Sequence, residues 1–167
     1  KAASLMREQR WELAAWEVFE EAKPWREADA DVAEAVDFLE YYAGEMEQLD
    51  PPPRLGRYPG ELNELFWSPR GVTVVIAPWN FPLAIPAGMV AAALVSGNPV
   101  LFKPSERASI MGYRLATILR QAGVPAGVLQ YVPGGPDVGR ELVTQASVAT
   151  IAFTGSKDVG LGIMQAA

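Results

Sequence analysis

The chain has 167 residues, half of them hydrophobic and a fifth charged, with a formal net charge of −6. At 18.1 kDa, pI about 4.7 and mean hydropathy +0.07, it can bury roughly 70% of its unfolded surface, which excludes a disordered tail or a fibre. With no cysteine and no histidine, it can hold no disulfide, thiolate zinc site, Ser-His-Asp triad or Cys-His pair, and no metal centre is expected.

Residues 1–60 read as a helical leader and linker. Leu5, Leu13, Trp16 and Phe19 follow a helical stripe, with Arg7, Glu8, Arg10, Glu12 and Glu17 between them, and Pro24 ends the segment. A second helix is predicted from about Asp29. Its stripe is Val32, Val36, Leu39, Ala43, Met46 and Leu49, with acids on the opposite side. Pro51-Pro52-Pro53 stops it, because none donates a helical hydrogen bond, and 50–60 is a loop rich in Pro and Gly. Over 61–70, Glu61–Trp67 alternates loosely, as an edge strand or one arm of a hairpin would. Ser68-Pro69-Arg70-Gly71 then turns the chain.

A regular beat runs through 71–167. Strands are predicted at Val72–Ile76, Val100–Phe102, Leu129–Val132 and Thr150–Phe153. Helices are predicted at Leu83–Val95, Ser109–Ala122 and Asp137–Thr144, with a last one after Gly155. Units this short imply βαβ crossovers. The fold class is α/β: a Rossmann-like, doubly wound parallel sheet behind an N-terminal helical leader.

Residues 1–60 hold 14 acids and 7 bases, whereas 61–167 hold 6 acids and 7 bases. A nucleic-acid partner is not expected, and the later part can face a polyanionic ligand without a repulsive field. Leu83–Val95, interrupted by Pro86 and Gly88, is too short to span a bilayer. No export signal opens the chain, and the lack of cysteine fits a reducing compartment, so a cytoplasmic location is expected. The chain starts at Lys1 and stops inside a helical pattern, and is expected to be a piece of something longer.

Ligands of open parallel sheets bind beyond the carboxyl ends of the strands, which selects four loops. In Ala77-Pro78-Trp79-Asn80-Phe81-Pro82, the Asn80 amide suits a developing oxyanion, although a helix cap is the default for an Asn there. Lys103-Pro104-Ser105-Glu106 sets a cation and a carboxylate where ribose hydroxyls could meet them; the plain alternative is an exposed Lys and a Glu at a helix start. Pro133-Gly134-Gly135-Pro136, with Gly139, gives a tight turn and is not a GxGxxG fingerprint. Phe153-Thr154-Gly155-Ser156-Lys157 brings free N–H groups to a helix N-terminus, or an ordinary N-cap, and lacks the P-loop frame. Glu34, among Glu27, Asp31 and Asp37, reads by default as part of a solvated helix face.

Together, Val74–Pro82, Gly97–Glu106, Gly123-Val124-Pro125, Val132-Pro133-Gly134 and Phe153-Thr154-Gly155-Ser156 resemble the coenzyme domain of the NAD(P)-dependent aldehyde dehydrogenase superfamily. Glu20–Trp25, Asp31–Tyr42 and Pro59–Glu64 resemble its Δ1-pyrroline-5-carboxylate dehydrogenase branch. In bacteria that enzyme stands alone or forms the C-terminal part of a bifunctional proline-utilisation protein, alongside a proline dehydrogenase domain.

The resemblance implies roles for particular residues. Asn80 would serve the oxyanion hole, Phe81 would form one wall of the aldehyde pocket, and Glu34 would approach the substrate. Ile76, Ala77, Pro78 and Trp79 would border the nicotinamide side of NAD, and Lys103, Ser105 and Glu106 the adenosine ribose. Gly135, Pro136, Gly139 and Val159 would flank the adenine, while Phe153, Thr154, Gly155 and Ser156 would lie at the pyrophosphate. A Glu at position 106 favours NAD over NADP, since a carboxylate repels a 2′-phosphate.

The implied reaction is oxidation of L-glutamate γ-semialdehyde to glutamate in proline catabolism, through thiolate attack and hydride transfer to NAD⁺. The family's nucleophilic Cys and general-base Glu lie downstream of Ala167. The 167 residues alone are therefore expected to be inactive, and to self-associate through exposed apolar surface. A homo-oligomer is expected for the whole enzyme, with 61–70 as its assembly strand. Three alternatives stand open: another branch acting on succinic semialdehyde or an aliphatic aldehyde, a non-catalytic nucleotide-binding or assembly module, and the acyl-phosphate-reducing relatives, which the Trp79-Asn80-Phe81 loop disfavours.

Overall fold

A computed structural model describes residues 1–167. The elements are α1 (Ala2–Glu8), α2 (Arg10–Glu21), α3 (Trp25–Leu49), β1 (Val72–Ile76), α4 (Ala84–Val95), β2 (Val100–Lys103), a 3-10 turn (Glu106–Ala108), α5 (Ser109–Ala122), β3 (Leu129–Tyr131), α6 (Pro136–Val143), β4 (Val148–Phe153) and α7 (Lys157–Ala166).

The four strands form one parallel sheet in the order β3-β2-β1-β4. Successive residues of a strand point to opposite faces. Val74 and Val75 of β1 are both fully buried, so this strand is covered on both sides, as its β-branched run anticipated. On one face, Val75, Phe102 and Leu129 join Leu83 of the loop before α4, Leu115 of α5 and Met6, Leu13 and Val32 of the leader in a single core cluster. Burial of a side chain of this size contributes about 1.5–3 kcal/mol. On the other face, α6 packs on β1 and β4 and buries Val143. Helix α7 leans on α6 and buries no residue. The outer edge of β4 borders an open apolar groove of about 560 Å³ lined by Val148, Ile151, Phe153, Ile163 and Met164 among others.

The leader departs from its sequence reading in four places. Its first helical stretch is two helices, α1 and α2, broken at Gln9. Phe19 is 84% exposed, while Glu17 takes the inward position four residues after Leu13. The second helix starts at Trp25, four residues before Asp29, because Pro24 supplies a carbonyl to the N–H groups of Glu27 and Ala28 without needing an N–H of its own. Toward its C-terminus Ala43 and Leu49 lie exposed, so the buried stripe ends with its first half.

Residues 50–70 are exposed throughout. No strand forms over Glu61–Trp67. A short antiparallel ladder pairs Arg54 with Glu64, and the Leu55 N–H donates to the Asn63 carbonyl at 2.7 Å.

Candidate functional site

Chain order and sheet order diverge at one point. From β1 the chain moves outward to β2 and β3, then returns to place β4 on the far side of β1. Loops leaving β1 and β4 therefore part company there, opening the crevice in which doubly wound sheets bind ligands. The register keeps the strand ends level. Ile76 lies opposite Lys103 on one side and Phe153 on the other, and Phe102 lies opposite Tyr131. Backbone bonds tie the exits together: Ala77 N–H to Lys103 O at 3.2 Å, Val132 N–H to Phe102 O at 2.8 Å, and Thr154 N–H to Ile76 O at 3.1 Å.

The β1 loop exposes Trp79, Asn80 and Phe81, while Ala77 is buried and Ile76 and Pro78 are half-buried. No side chain of this loop caps α4. Instead Asp31 reaches across from α3, and its two carboxylate oxygens accept the N–H groups of Leu83 and Ala84, both at 3.2 Å. The default sequence reading of Asn80 as a cap is thereby displaced, and Asn80 lies exposed on the loop that leaves β1. Glu34 is exposed one turn along α3 from Asp31, and Phe38, one further turn on, packs over Gly88 of α4. Glu34 thus stands at the α3–α4 rim.

The β2 loop is less open than its composition suggests. Lys103 is 6% exposed, and its ammonium donates to the Pro104 carbonyl at 3.1 Å. Burial holds that ammonium below the usual lysine range, against the opposing pull of Glu106 and Asp137. Ser105 caps the 3-10 turn by accepting the Arg107 N–H, and Glu106 opens that turn with its side chain exposed. The Arg107 guanidinium stacks over the Trp79 ring at 5.6 Å, joining the first two loops.

The third loop closes on the second. A Cβ at Gly135 would come within 3.0 Å of the Glu106 carboxylate, so the bare backbone is what lets the two approach. Gly139 faces the Lys103 stem, with Pro136 at the first position of α6. In the fourth loop Gly155 passes the Phe153 ring so closely that a Cβ would sit 2.7 Å from it. The Ser156 hydroxyl caps α7 by accepting the Val159 N–H at 3.4 Å, and the Lys157 and Asp158 N–H groups ahead of it have no intrahelical partner. Thr154 donates its hydroxyl to the Met89 sulfur at 3.6 Å, binding this loop to α4. Val159 is 52% exposed.

A buried ionic cluster behind the first loop escaped the sequence reading, which placed Glu17 and Asp31 on solvated faces. Lys23, 8% exposed, sets its ammonium 3.3 Å from a carboxylate oxygen of Glu17 and 3.3 Å from one of Asp31. Glu17 and Asp31 are 0% and 1% exposed. The same ammonium lies 4.3 Å from the centroid of the Phe81 ring. Glu20 makes a second acid-to-helix contact, accepting the Ile110 and Met111 N–H groups at the start of α5 at 2.6 and 2.8 Å. The available signal was position: Glu17 follows Leu13 by four, and Asp31 sits between Ala28 and Ala35 on the inward stripe.

Burial, reinforced by the charge of Asp31, pushes the Glu17 carboxyl up to about 9, and burial beside Glu20 pushes Glu21 up to about 8. Both folded-state values lie above the unfolded ones. The folded chain thus holds these protons while the unfolded chain has released them, and stability falls as pH rises from about 5 toward 8–9. Glu17→Gln should flatten this fall, which amounts to at most about 1.4 kcal/mol per pH unit for one group. Urea midpoints of the full-length protein between pH 5.5 and 8.5 check it, and an unchanged slope refutes it.

These strands define a doubly wound α/β domain whose strand order reverses between β1 and β4. The chain belongs to the aldehyde dehydrogenase family, whose sequence pattern matches residues 1–167. It is 51% identical over 168 aligned residues to a 1-pyrroline-5-carboxylate dehydrogenase of Geobacillus thermodenitrificans (strain NG80-2), covering all of this chain and 33% of that protein. Among solved structures it resembles proline utilization A from Bdellovibrio bacteriovorus, with TM-score 0.98, 50% identity and coverage of 100% and 18% of the two chains. It also resembles a 1-pyrroline-5-carboxylate dehydrogenase from Thermus with bound NAD, with TM-score 0.96, 48% identity and coverage of 100% and 33%. The chain thus spans about a third of the length of the dehydrogenases it matches.

Proposed function

We propose that these residues are the coenzyme-holding part of an NAD-dependent aldehyde dehydrogenase that oxidises L-glutamate γ-semialdehyde, the open form of Δ1-pyrroline-5-carboxylate, to glutamate. The observation that carries the reading is the convergence at the sheet reversal: Asn80, Lys103, Glu106, Gly135 and Ser156, scattered in sequence, leave neighbouring strand ends on one side of one sheet.

The donor set fits the coenzyme. Lys103 and Glu106 offer a donor and an acceptor suited to vicinal hydroxyls, with Ser105 beside them and Gly135, Pro136 and Gly139 keeping the approach clear. The first N–H groups of α7, beside Thr154, Gly155 and Ser156, suit a pyrophosphate. Ile76, Ala77, Pro78 and Trp79 would border the nicotinamide end, Phe153 would line the pyrophosphate floor, and Val159 would meet the adenine. The exposed Glu106 carboxylate disfavours a 2′-phosphate, hence NAD over NADP. Held by these residues, NAD⁺ would supply the acceptor for the hydride of the aldehyde carbon.

This chain's own part in the chemistry is to hold and polarise. Asn80 donates its amide N–H to the oxygen that gains negative charge at the former aldehyde carbon, Phe81 walls the pocket, and Glu34 approaches the substrate from the α3 rim. In balance, aldehyde, NAD⁺ and water give carboxylate, NADH and two protons. The attacking thiolate must come from elsewhere in the full-length protein, because the 167 residues contain no cysteine. The exposed aromatic arm over 50–70 supports an assembly role for 61–70 in a homo-oligomer. Likeness to proline utilization A supports a proline dehydrogenase partner domain as an alternative context.

The full-length protein should form NADH from glutamate γ-semialdehyde with a higher kcat/KM than from succinic semialdehyde or propionaldehyde. The 167-residue chain should form none in thiol-free buffer. A preference for another aldehyde moves the protein to another branch, NAD binding without turnover makes it a non-catalytic module, and turnover by the short chain overturns the division of labour.

A further inference from the structure

We propose that Lys23 is a positioning residue for the aldehyde pocket: pinned between Glu17 and Asp31, its ammonium lies under the Phe81 ring and fixes the face that Phe81 turns to the substrate. The inference rests on the reading of Phe81 as a pocket wall and adds to it a specificity device drawn from the helical leader.

Three observations carry it. First, Phe81 is 41% exposed, whereas Lys23 beneath it is 8% exposed, so the ring roofs the ammonium with one face and presents the other outward. A half-exposed aromatic on a loop otherwise has several rotamers open to it. A desolvated cation centred 4.3 Å from the ring selects one of them. Second, the cation is enclosed between two acidic side chains. Its ammonium is 3.3 Å from an oxygen of Glu17 on α2 and 3.3 Å from one of Asp31 on α3. One of these, Asp31, also fixes the backbone two residues past Phe81 by accepting the Leu83 and Ala84 N–H groups. Ring and backbone of the loop are thus anchored to the same ionic cluster. Third, Ala22 has φ +56, the sole non-glycine residue of the chain in the left-handed region, and it immediately precedes Lys23. Pro24 follows with φ −58. The chain accepts an unfavourable backbone at the α2–α3 connection, and the outcome is a lysine directed into the interior rather than to solvent.

The experiment uses the full-length protein with Lys23→Met, Phe81→Leu and the double variant, and a Glu17→Gln/Lys23→Met pair in case loss of the cation alone prevents folding. Lys23→Met should raise KM for glutamate γ-semialdehyde about tenfold while kcat moves less than about threefold, the size expected of one cation–π contact and of ground-state positioning. The Kd for NAD⁺ should not move. In the Phe81→Leu background the Lys23→Met effect should vanish, because the cation acts through the ring. Additive losses, a KM that stays put, or a parallel change in NAD⁺ affinity would overturn the proposal. Crystal structures of the wild type and the folded Lys23 variant read the ring independently of turnover: one rotamer in the former and a displaced or divided ring in the latter are expected, and an unmoved ring overturns the inference. A wild type that ignores the semialdehyde while its ring still depends on Lys23 would refute the substrate reading alone.

Discussion

Asn80→Ala in the full-length protein is expected to lower kcat for aldehyde oxidation by about 10²–10³, roughly 2.7–4 kcal/mol of lost barrier reduction. The Kd for NAD⁺ should stay unchanged. Asp31 already caps α4, so the Asn80 amide carries no helix-end duty whose loss would confuse the result. It sits on the loop that leaves β1, where the sheet order reverses, at the carboxyl end of the sheet. A neutral amide stabilises developing negative charge without needing to reorganise, and removing it should act on the transition state, lowering kcat and kcat/KM together. Asn80→Asp should do no better, since a carboxylate opposes the charge that forms. Steady-state rates with semialdehyde, alongside coenzyme titration, check both variants. A kcat within threefold of wild type would remove Asn80 from the chemistry.

Much of the scaffold was legible in the sequence because it depends on local rules. Val72–Ile76 is a short β-branched run, and a parallel strand buried on both faces requires such a run. Ser109–Ala122 matches its predicted limits because Gly123, at φ +113, ends the helix in a conformation that other residues resist. Prolines 51–53 mark the end of α3 for an equally local reason. The candidate loops were legible through the rule that parallel sheets bind ligands at their carboxyl ends, but their contacts were not. Nothing in spacing brings Gly135 against Glu106, or Arg107 over Trp79; only the parallel register does so. The leader was misread where charge and burial part company. Periodicity assigns every acid to solvent, whereas Glu17 and Asp31 occupy inward positions because Lys23 arrives from a turn to meet them. Phe19 is correspondingly displaced outward. Such pairing is a tertiary fact, invisible to a reading that treats each helix alone.

Asp31 is the residue on which most of this tertiary structure turns, and Asp31→Ala should cost the full-length protein about 3–5 kcal/mol, the usual result of orphaning one partner of a buried ion pair. Two losses combine. The N–H groups of Leu83 and Ala84 lose their acceptor at a site where water has poor access, comparable with removal of an N-cap at about 0.5–2 kcal/mol. The Lys23 ammonium also loses the charged one of its two acidic neighbours, because burial keeps Glu17 protonated up to about 9. The second loss is partly self-correcting. The negative charge of Asp31 is among the causes that hold Glu17 protonated up to about 9, so its removal lets Glu17 ionise at lower pH and serve Lys23 alone. The variant should therefore be most impaired at mildly acidic pH, where Glu17 is still neutral, and less so toward pH 8. The wild type loses stability over the same interval as the unfolded chain sheds protons that folded Glu17 retains. The two stability curves should accordingly converge as pH rises. Asp31→Asn, which keeps one acceptor oxygen but turns an amide N–H toward a donor, should fall between them. Urea denaturation at pH 5.5, 7 and 8.5 resolves the three curves, and a pH-independent gap between Asp31→Ala and wild type would show that Glu17 does not take over the lysine.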